Sequence, residues 1–220
     1  MCKTAPPLFP RVASLPRATT MNYLDLLSKS SRRCVRAWQW TREDEPCGEY
    51  AELHELADGW ALAGSVVLSR EGTPCLVEYS VESDSRWRTR QVHVALRGAG
   101  GSRTLDLRVD AGLRWWRGDE EVVQFAGCTD VDLAFSPSTN TLPIRRLSLE
   151  VGQGSDVTAA WVRMPDLSLE KLPQRYTRLS STRYRYESGG GRFTSEVETD
   201  ELGLVTRYPP AWVRVSSASR

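Results

Sequence analysis

The chain has 220 residues, of which 40% are hydrophobic and 26% charged, and its formal net charge at pH 7 is +1. These values are typical of a soluble globular domain and exclude a fibrous repeat or a mostly disordered chain. No apolar run approaches the ~20 residues that a transmembrane helix needs, and five scattered cysteines without a CxxC pair favour a reduced, cytoplasmic protein.

Residues 1–36 form a basic head. They contain seven Lys or Arg and one acid, whereas the remaining residues contain 22 Lys or Arg and 27 acids. The head is rich in Pro and Ser and lacks the apolar core of a secretory signal. We predict a disordered extension over 1–36, a β domain over 37–215 and a tail over 216–220. A transit peptide, or a true start at Met21, is the alternative, and MNYLDLLSKSS (21–31) would accommodate one short helix.

Alternation of apolar and polar residues begins at Trp38 and predicts strands. In EYAELHELADGWALAGSVVL (49–68), two alternating runs flank Asp58-Gly59. An Asp-Gly pair in this setting is typical of a hairpin, because both residues can adopt a positive φ. In TLDLRVDAGLRWW (104–116), Asp110-Ala111-Gly112 separates two further runs, and a second hairpin is predicted there.

Short runs rich in β-branched and aromatic residues continue to the end of the chain. They include LSLEV, VTAAWVRM, DLSLEKL, RYTRL, RYRYE, RFTSEVETDELGLVTRY and AWVRV. About a dozen or more strands at intervals of roughly 8 to 12 residues indicate an all-β protein. Because curling or closing a large sheet removes its exposed edges, we predict a many-stranded antiparallel curved sheet or barrel-like fold with an internal cavity and at most one short helix.

The sequence contains no familiar catalytic or cofactor motif. G-x-S-x-G, P-loop and H-E-x-x-H patterns are missing. His54 and His93 lie in strand-like alternation, where a hydrogen-bonded strand residue is the ordinary role. Cys128 stands among acidic residues, which disfavour a reactive thiolate, so we interpret it as a small buried residue. We predict no metal and no cofactor.

Asp130 and Asp132 lie two residues apart in TDVDL, so a strand places both carboxylates on one face. Such a pair could serve acid–base chemistry or hold a cation. The interpretation that we favour is a fixed polar layer, because arginines recur in SRWRTRQV (85–92), in RYRY (183–186) and at Arg145-Arg146, and Arg–carboxylate pairing suits such a layer. The acidic balance beyond residue 36 disfavours nucleic-acid binding.

Several long segments resemble one known family in the family's own order. They are EYSVESDSRWRTRQVHV, GCTDVDLAFSPSTNTLPIRRLSL, AAWVRMPDLSLEKLPQRYTRL, YRYE and GLVTRYPPAWVRV. Together they resemble the bacterial "putative glycolipid-binding" family, formerly a domain of unknown function, over about residues 38–215. The resemblance implies a strongly curved β structure with a cavity that binds a glycolipid, and it supplies no catalytic residue.

Two departures from the family pattern bear on the ligand. The family tends to show a D-G-x-W turn where this chain has Asp110 to Trp115, and an aromatic residue in the loop where this chain has Ser138. If that ring lines the ligand's entrance in relatives, the loss of the ring changes affinity or ligand choice here.

The segment 127–152 is predicted to form two strands, Thr129 to Phe135 and Ile144 to Val151, joined by an ordered polar loop. Its Asn140-Thr141 and Arg145-Arg146 are predicted to form a rim for sugar or phosphate-like headgroups. Aromatic residues such as Trp87, Trp115, Trp161 and Tyr184 are candidates to pack against sugars or acyl chains. The full predicted ligand-binding set is Trp87, Arg88, Arg90, Asp130, Asp132, Asn140, Thr141, Arg145, Arg146, Tyr176 and Tyr184.

The function that we predict is non-enzymatic binding of an amphipathic small molecule, with a glycolipid as the implied ligand. The partner is thus a lipid or glycolipid, with no nucleic acid and no transmembrane segment, and the oligomeric state stays open. One alternative is a hydrolase-type enzyme acting on a sugar or lipid ester through Asp130, Asp132 or Asp84. Another is a protein-interaction module, which needs an exposed apolar patch.

Overall fold

A computed structural model describes residues 32–70 and 72–219, and in this part of the chain fifteen strands form one sheet. The strands are β1 (Arg33–Arg42), β2 (Cys47–Leu56), β3 (Gly59–Arg70), β4 (Thr73–Asp84), β5 (Thr89–Gly98), β6 (Gly101–Val109), β7 (Trp115–Arg117), β8 (Glu120–Glu121), β9 (Asp130–Leu133), β10 (Gly154–Val162), β11 (Leu169–Arg178), β12 (Arg183–Ser188), β13 (Phe193–Thr199), β14 (Val205–Tyr208) and β15 (Trp212–Ser219).

One α-helix, α1 (Thr141–Leu147), and two 3₁₀ turns, Val123–Phe125 and Ser138–Asn140, complete the regular structure of the described residues. The predicted all-β fold with a single short helix is confirmed. The helix considered for residues 21–31 lies outside the described residues. Within the described ranges, no helix has the length and apolar character required to span a bilayer.

The sheet is strongly curved and open. Its strand order is β8-β7-β6-β5-β4-β3-β2-β1-β15-β14-β13-β12-β11-β10-β9, and every neighbouring pair is antiparallel except β9 and β10. Ten strands lie between β5 and β9, which in a flat sheet would separate them by about 50 Å. Yet the Thr89 N–H donates to the Thr129 carbonyl oxygen at 3.1 Å, and the Val131 N–H donates to Thr89 Oγ1 at 3.1 Å. The sheet therefore curls back on itself and encloses an inner face.

Aspartates set three of the turns through the same local hydrogen bonds. The Asp84 carboxylate accepts from the backbone N–H groups of Arg86 and Arg88, both at 2.9 Å. The same pattern recurs at Asp110 and Asp200. The fourth residue of each turn has a positive φ: Trp87 (65°), Leu113 (59°) and Gly203 (75°). The carboxylate thus holds the chain in a conformation that side chains rarely adopt. The predicted hairpin at Asp58-Gly59 is confirmed, but its two-residue turn is Ala57-Asp58, Gly59 already belongs to β3, and neither Asp58 nor Gly59 has a positive φ. The predicted turn at Asp110 is confirmed.

The inner face of the sheet carries the core. Directly opposed residues of neighbouring strands share a face, and one such row crosses β2 to β6. The row consists of Leu53, Leu62, Val81, Val92 and Leu107, each at most 3% exposed. Alternation within each strand places these residues inward. Their packing removes apolar surface from water, which stabilises the fold by roughly 25 cal/mol for each Å² buried.

Residues 134–149 leave the sheet and pack against its inner face. Ser136 donates a hydrogen bond to Glu49 of β2, and Tyr176 of β11 donates one to Asn140. Leu142 and Ile144 of α1 are buried in the core. The segment thus fills much of the space that the curved sheet encloses.

The predicted strand from Ile144 to Val151 is wrong, because α1 occupies its first half. Pro143 is tolerated in the first helical turn, where its missing N–H has no helical partner to lose, and the helix ends at Ser148 with a φ of 48°. A helix of two turns is too short for its sequence to show the 3.6-residue period of apolar residues. Leu147 and Leu149, two residues apart, have instead the spacing that is typical of a strand. The strand predicted over Thr129 to Phe135 is confirmed in its central part, β9.

Gly64 of β3 lies opposite Tyr79 of β4. A methyl group on Gly64 would lie 2.7 Å from the Tyr79 hydroxyl oxygen and 2.8 Å from the Tyr50 carbonyl oxygen. We therefore expect Gly64→Ala to lower the free energy of unfolding by about 1–3 kcal/mol, measured by urea unfolding. The matched control is Gly100→Ala, where the added methyl meets no atom within 4 Å. Equal losses in both variants would contradict the explanation.

Candidate functional site

A pocket of about 360 Å³ lies on the inner face of the half of the sheet formed by β9 to β15, and we call it the aromatic pocket. Five rings line it: Trp161, Tyr186, Phe193, Tyr208 and Trp212. Its polar lining residues are Asp132, Ser136, Asn140 and Ser188. A concave, mainly aromatic surface with a few polar groups is the usual character of a small-molecule site.

Strand register explains why these distant residues meet. Asp132 of β9 lies beside Trp161 of β10. Ser188 of β12 lies opposite Phe193 of β13, and Tyr208 of β14 lies opposite Trp212 of β15. Because opposed residues share a face, each strand contributes an inward side chain to the same hollow. Tyr186, Phe193 and Tyr208 pack edge to face, with ring centroids 5.8 to 6.2 Å apart.

Asp132 is the ionisable carboxyl group of the aromatic pocket. Gln174 Nε2 donates to Asp132 Oδ2 at 2.6 Å and to the Tyr186 hydroxyl at 3.0 Å. Burial raises the pKa of Asp132 from 3.8 to about 6, and the hydrogen bond from Gln174 offsets only part of this rise. Among the described residues, no Lys or Arg pairs with Asp132, so at neutral pH this carboxylate is charged without a cationic partner.

A sealed polar network lies beneath the aromatic pocket. The Tyr79 and Ser136 hydroxyls donate to Glu49 Oε1 at 2.5 and 2.7 Å, and Ser136 Oγ lies 2.7 Å from Ser138 Oγ. Glu49 Oε2 has no hydrogen-bond partner among the described residues. Burial raises the pKa of Glu49 to about 8, so this carboxyl group is mostly protonated at pH 7.

A second pocket of about 620 Å³ lies beside the part of β10 that β9 does not pair, and we call it the polar cleft. Its lining includes Arg146 and Arg175. Arg146 binds both oxygens of the buried Asp130, at 3.0 and 2.5 Å, and Arg175 binds Asp156 at 2.9 Å. The cleft is larger than the aromatic pocket. It is less suited to a specific ligand, because both of its arginines already have carboxylate partners.

Five predicted ligand-binding residues come together at this end of the molecule. Asp132 and Asn140 line the aromatic pocket. Tyr176 is buried behind them, and its hydroxyl donates to Asn140 Oδ1 at 2.9 Å. Asp130 and Arg146 form the neighbouring ion pair. The predicted arginine–carboxylate layer therefore includes Asp130 but not Asp132.

A separate cluster contains other predicted residues. The Arg145 guanidinium lies 5.3 Å from the centre of the Trp87 ring, and Trp87 stacks on Trp60 with centroids 4.9 Å apart. Tyr184 lies under Arg178, 5.8 Å from ring centre to guanidinium. None of these residues belongs to the described lining of the aromatic pocket.

The remaining predicted residues lie elsewhere or inside. Arg88 and Arg90 pair with Asp84 and Asp58 at 2.8 and 2.5 Å, at hairpin ends. Thr141 is completely buried, and Asn140 is 6% exposed. The loop that was expected to form a rim folds inward as a 3₁₀ turn and α1, so these two residues lie in the interior.

Several residues of the site were missed by sequence reasoning. Phe193, Tyr208 and Trp212 belong to strands that were predicted, but no local pattern distinguishes them from other inward residues. Gln174 lies between the predicted strands DLSLEKL and RYTRL, which the structure joins into β11 across Pro173. Glu49 carried a usable signal, because it shares the period-two face of Cys47, Ala51 and Leu53 in β2 and so had to point inward.

One group of described residues has ligand types that suit a metal ion. Cys34, Glu52 and His54 offer ligand atoms within 4.8 Å of one another. They lie on the outer face, where His54 Nε2 contacts Glu52 Oε2 at 2.9 Å and Tyr50 donates to the other Glu52 oxygen. Both Glu52 oxygens thus have described hydrogen-bond partners, and none of the three residues lines the aromatic pocket.

Comparison with known proteins gives a consistent result. No curated protein matches the chain at a significant level. A DUF1089 family protein from Pseudomonas aeruginosa, with a crystal structure at 1.80 Å resolution, is 34% identical, and the match covers 73% of this chain and 89% of that one with a TM-score of 0.67. Residues 37–214 match the family described as "Putative glycolipid-binding". The chain therefore belongs to the family described as "Putative glycolipid-binding".

Proposed function

We propose that the protein binds an amphipathic small molecule and holds its polar headgroup in the aromatic pocket. One observation carries the proposal: Asp132, a carboxylate without a cationic partner in the described residues, faces a pocket of about 360 Å³ walled by five rings. Asp132 is half-buried, and taking a charge partly out of water is costly unless something pairs with it. The description of the family supports a glycolipid as the class of ligand.

The chemistry of the walls suits a sugar-like headgroup. Aromatic faces pack against the C–H surfaces of a sugar ring, while carboxylate and amide oxygens accept hydrogen bonds from its hydroxyls. Asp132 and Asn140 provide such oxygens, and Ser188 provides a hydroxyl. Headgroup recognition is therefore assigned to this pocket and not to the polar cleft.

The apolar part of the ligand has a neighbouring space. A pocket of about 170 Å³ shares Ala134 and Trp161 with the aromatic pocket; its lining includes the apolar Leu68, Phe135 and Met164 and, beside them, the charged Arg42, Glu45 and Arg163. Each buried CH₂ of an acyl chain contributes about 0.8 kcal/mol to binding. The start of a chain placed there would add affinity without contributing to headgroup choice.

Binding is better supported than hydrolysis. A glycosidase of the usual kind needs two carboxyl groups on either side of the scissile bond. Asp130 is held in a bidentate ion pair with Arg146, and only Asp132 of the two lines the aromatic pocket. The pair on which the enzyme alternative depends is thus divided between two roles.

Closing the aromatic pocket should abolish binding. We expect Ser188→Trp to weaken binding of glycolipids at least tenfold, because the indole occupies the volume that the headgroup needs. The control is Thr194→Trp, an exposed residue on the next strand whose register faces away from the pocket. Native mass spectrometry of protein purified without detergent, followed by titration with a panel of lipids and glycolipids, measures the effect. Wild-type protein that carries and binds none of them would contradict the proposed function.

A further inference from the structure

The charge balance of the aromatic pocket is unusual. Its described lining contains one carboxylate, Asp132, and no Lys, Arg or His. The neighbouring acid, Asp130, already has its own cation in Arg146. Asp132 Oδ2 accepts a hydrogen bond from the neutral Gln174, and no described residue donates to Oδ1. The pocket therefore holds a negative charge that no Lys, Arg or His among the described residues neutralises.

The walls of the pocket add to the same preference. Aromatic ring faces carry negative electrostatic potential and attract cations within about 6 Å of their centres. Tyr186, Phe193 and Tyr208 form a contiguous group, and Trp161 and Trp212 complete the lining. Rings of this number around one carboxylate match the aromatic cages that recognise ammonium groups.

From this geometry we infer that the ligand's headgroup carries a positive charge, as a protonated amine or a quaternary ammonium, with Asp132 as its counter-ion. This inference rests on the proposed function and narrows it from amphiphiles in general to cationic ones. A neutral sugar satisfies the hydrogen-bonding groups but leaves the carboxylate uncompensated. An amino sugar or a choline-like head satisfies both, since the cation pairs with the carboxylate and lies against the rings.

The inference gives binding a characteristic dependence on pH. Asp132 has a pKa of about 6, so it is mostly ionised at pH 7 and mostly protonated at pH 5. Among the described residues, the other titratable groups around it are Asp130, its partner Arg146, Glu49 behind Ser136, and the tyrosines Tyr176, Tyr186 and Tyr208. Glu49 has a pKa of about 8 and is mostly protonated from pH 5 to pH 7. Burial raises the pKa of each of these tyrosines above its usual value, so they stay neutral over this interval. Affinity for a cation should therefore fall about tenfold from pH 7 to pH 5.

Three amphiphiles with the same decyl chain test the inference. Decyl glucosaminide carries a protonated amine, decyltrimethylammonium carries a quaternary ammonium, and decyl glucoside is neutral. Titration below their micelle concentrations, followed by the fluorescence of the pocket tryptophans and by calorimetry, gives each affinity. We expect at least one cationic head to bind about tenfold more tightly than decyl glucoside at pH 7, and the stronger of the two identifies the source of the charge.

Variants tie the preference to one carboxylate. In Asp132→Asn the ratio of cationic to neutral affinity should fall to about one, whereas in Asp156→Asn, which removes an acid of the polar cleft, the ratio should match the wild type. Neutral and cationic heads that bind equally well to the wild type would overturn the inference and leave the proposed function standing. Binding of none of the three, together with the absence of any bound lipid, would overturn both.

Discussion

Replacing Arg146 by methionine is expected to lower the free energy of unfolding by about 3–5 kcal/mol at pH 7. Arg146 binds both oxygens of Asp130, and the side chain of Asp130 is only 2% exposed. Removing the guanidinium leaves a carboxylate in the interior with neither its cation nor two of its hydrogen bonds. Urea unfolding followed by tryptophan fluorescence measures the loss.

The pH dependence of this loss distinguishes the lost charge pair from lost packing. Burial already raises the pKa of Asp130, and Arg146 opposes that rise. Without Arg146 the folded-state pKa rises further, so the penalty grows as pH increases above the folded-state pKa of the wild type and is smallest at acidic pH, where Asp130 is protonated in both folded proteins. The double variant Asp130→Asn with Arg146→Met should recover most of the stability. A loss that is constant from pH 4 to pH 8, or not recovered by the double variant, would contradict this explanation.

Replacing Glu49 by glutamine should flatten the dependence of stability on pH between about 4.5 and 8. Burial raises the pKa of Glu49 from 4.5 to about 8, against the opposing hydrogen bonds from Tyr79 and Ser136. Between these two values the unfolded chain has lost the proton and the folded protein retains it. Wild-type stability therefore declines with rising pH by up to about 1.4 kcal/mol per unit over this interval, and the decline stops above the folded-state pKa.

The comparison of slopes isolates Glu49 from other groups. Asp132 has a folded-state pKa of about 6 and contributes the same sign only between its unfolded value of 3.8 and about 6. Between pH 6 and pH 8, Glu49 is thus the dominant source of the decline among these two acids. We expect Glu49→Gln to gain about 2 kcal/mol relative to the wild type over that range in urea unfolding. Parallel curves for the two proteins would show that Glu49 is ionised in the folded state.

Much of the fold could be predicted because it depends on local chemistry. Asp110 marked a turn, and Asp58-Gly59 marked a hairpin whose turn lies one residue earlier, through side-chain and backbone preferences that act over a few residues. The alternation in β2 and β6 assigned inward and outward faces, and the two carboxylates of TDVDL were correctly placed on one strand face. The helix α1 was not predicted, because its seven residues, which include Pro143, are too few to show the 3.6-residue apolar period of a helix.

The candidate site could be predicted only in part. Asp132, Asn140 and Tyr176 were identified from their residue types and from the resemblance, and the structure brings them together. Trp87 and Arg88 were grouped with them because they belong to SRWRTRQV, a segment rich in arginine. In the folded protein, however, Trp87 packs under Arg145 and Arg88 pairs with Asp84, away from the lining of the aromatic pocket. Residue type thus indicated the chemistry, while position depended on the path of the sheet.

The amino-acid sequence by itself determined that the chain forms many antiparallel strands, where the tightest turns fall and which side chains of each strand face inward, since these properties depend on neighbours two to four residues apart. Only the tertiary structure decided that one side of seven successive strands would converge on Asp132 and that residues 134–149 would fold into the interior. It also decided that, within the described part of the chain, Asp130 has an arginine partner and Asp132 has none. The reason is physical: curvature accumulates over fifteen strands, so the distances that create a pocket and an unpaired charge are sums of small local twists that no single segment contains.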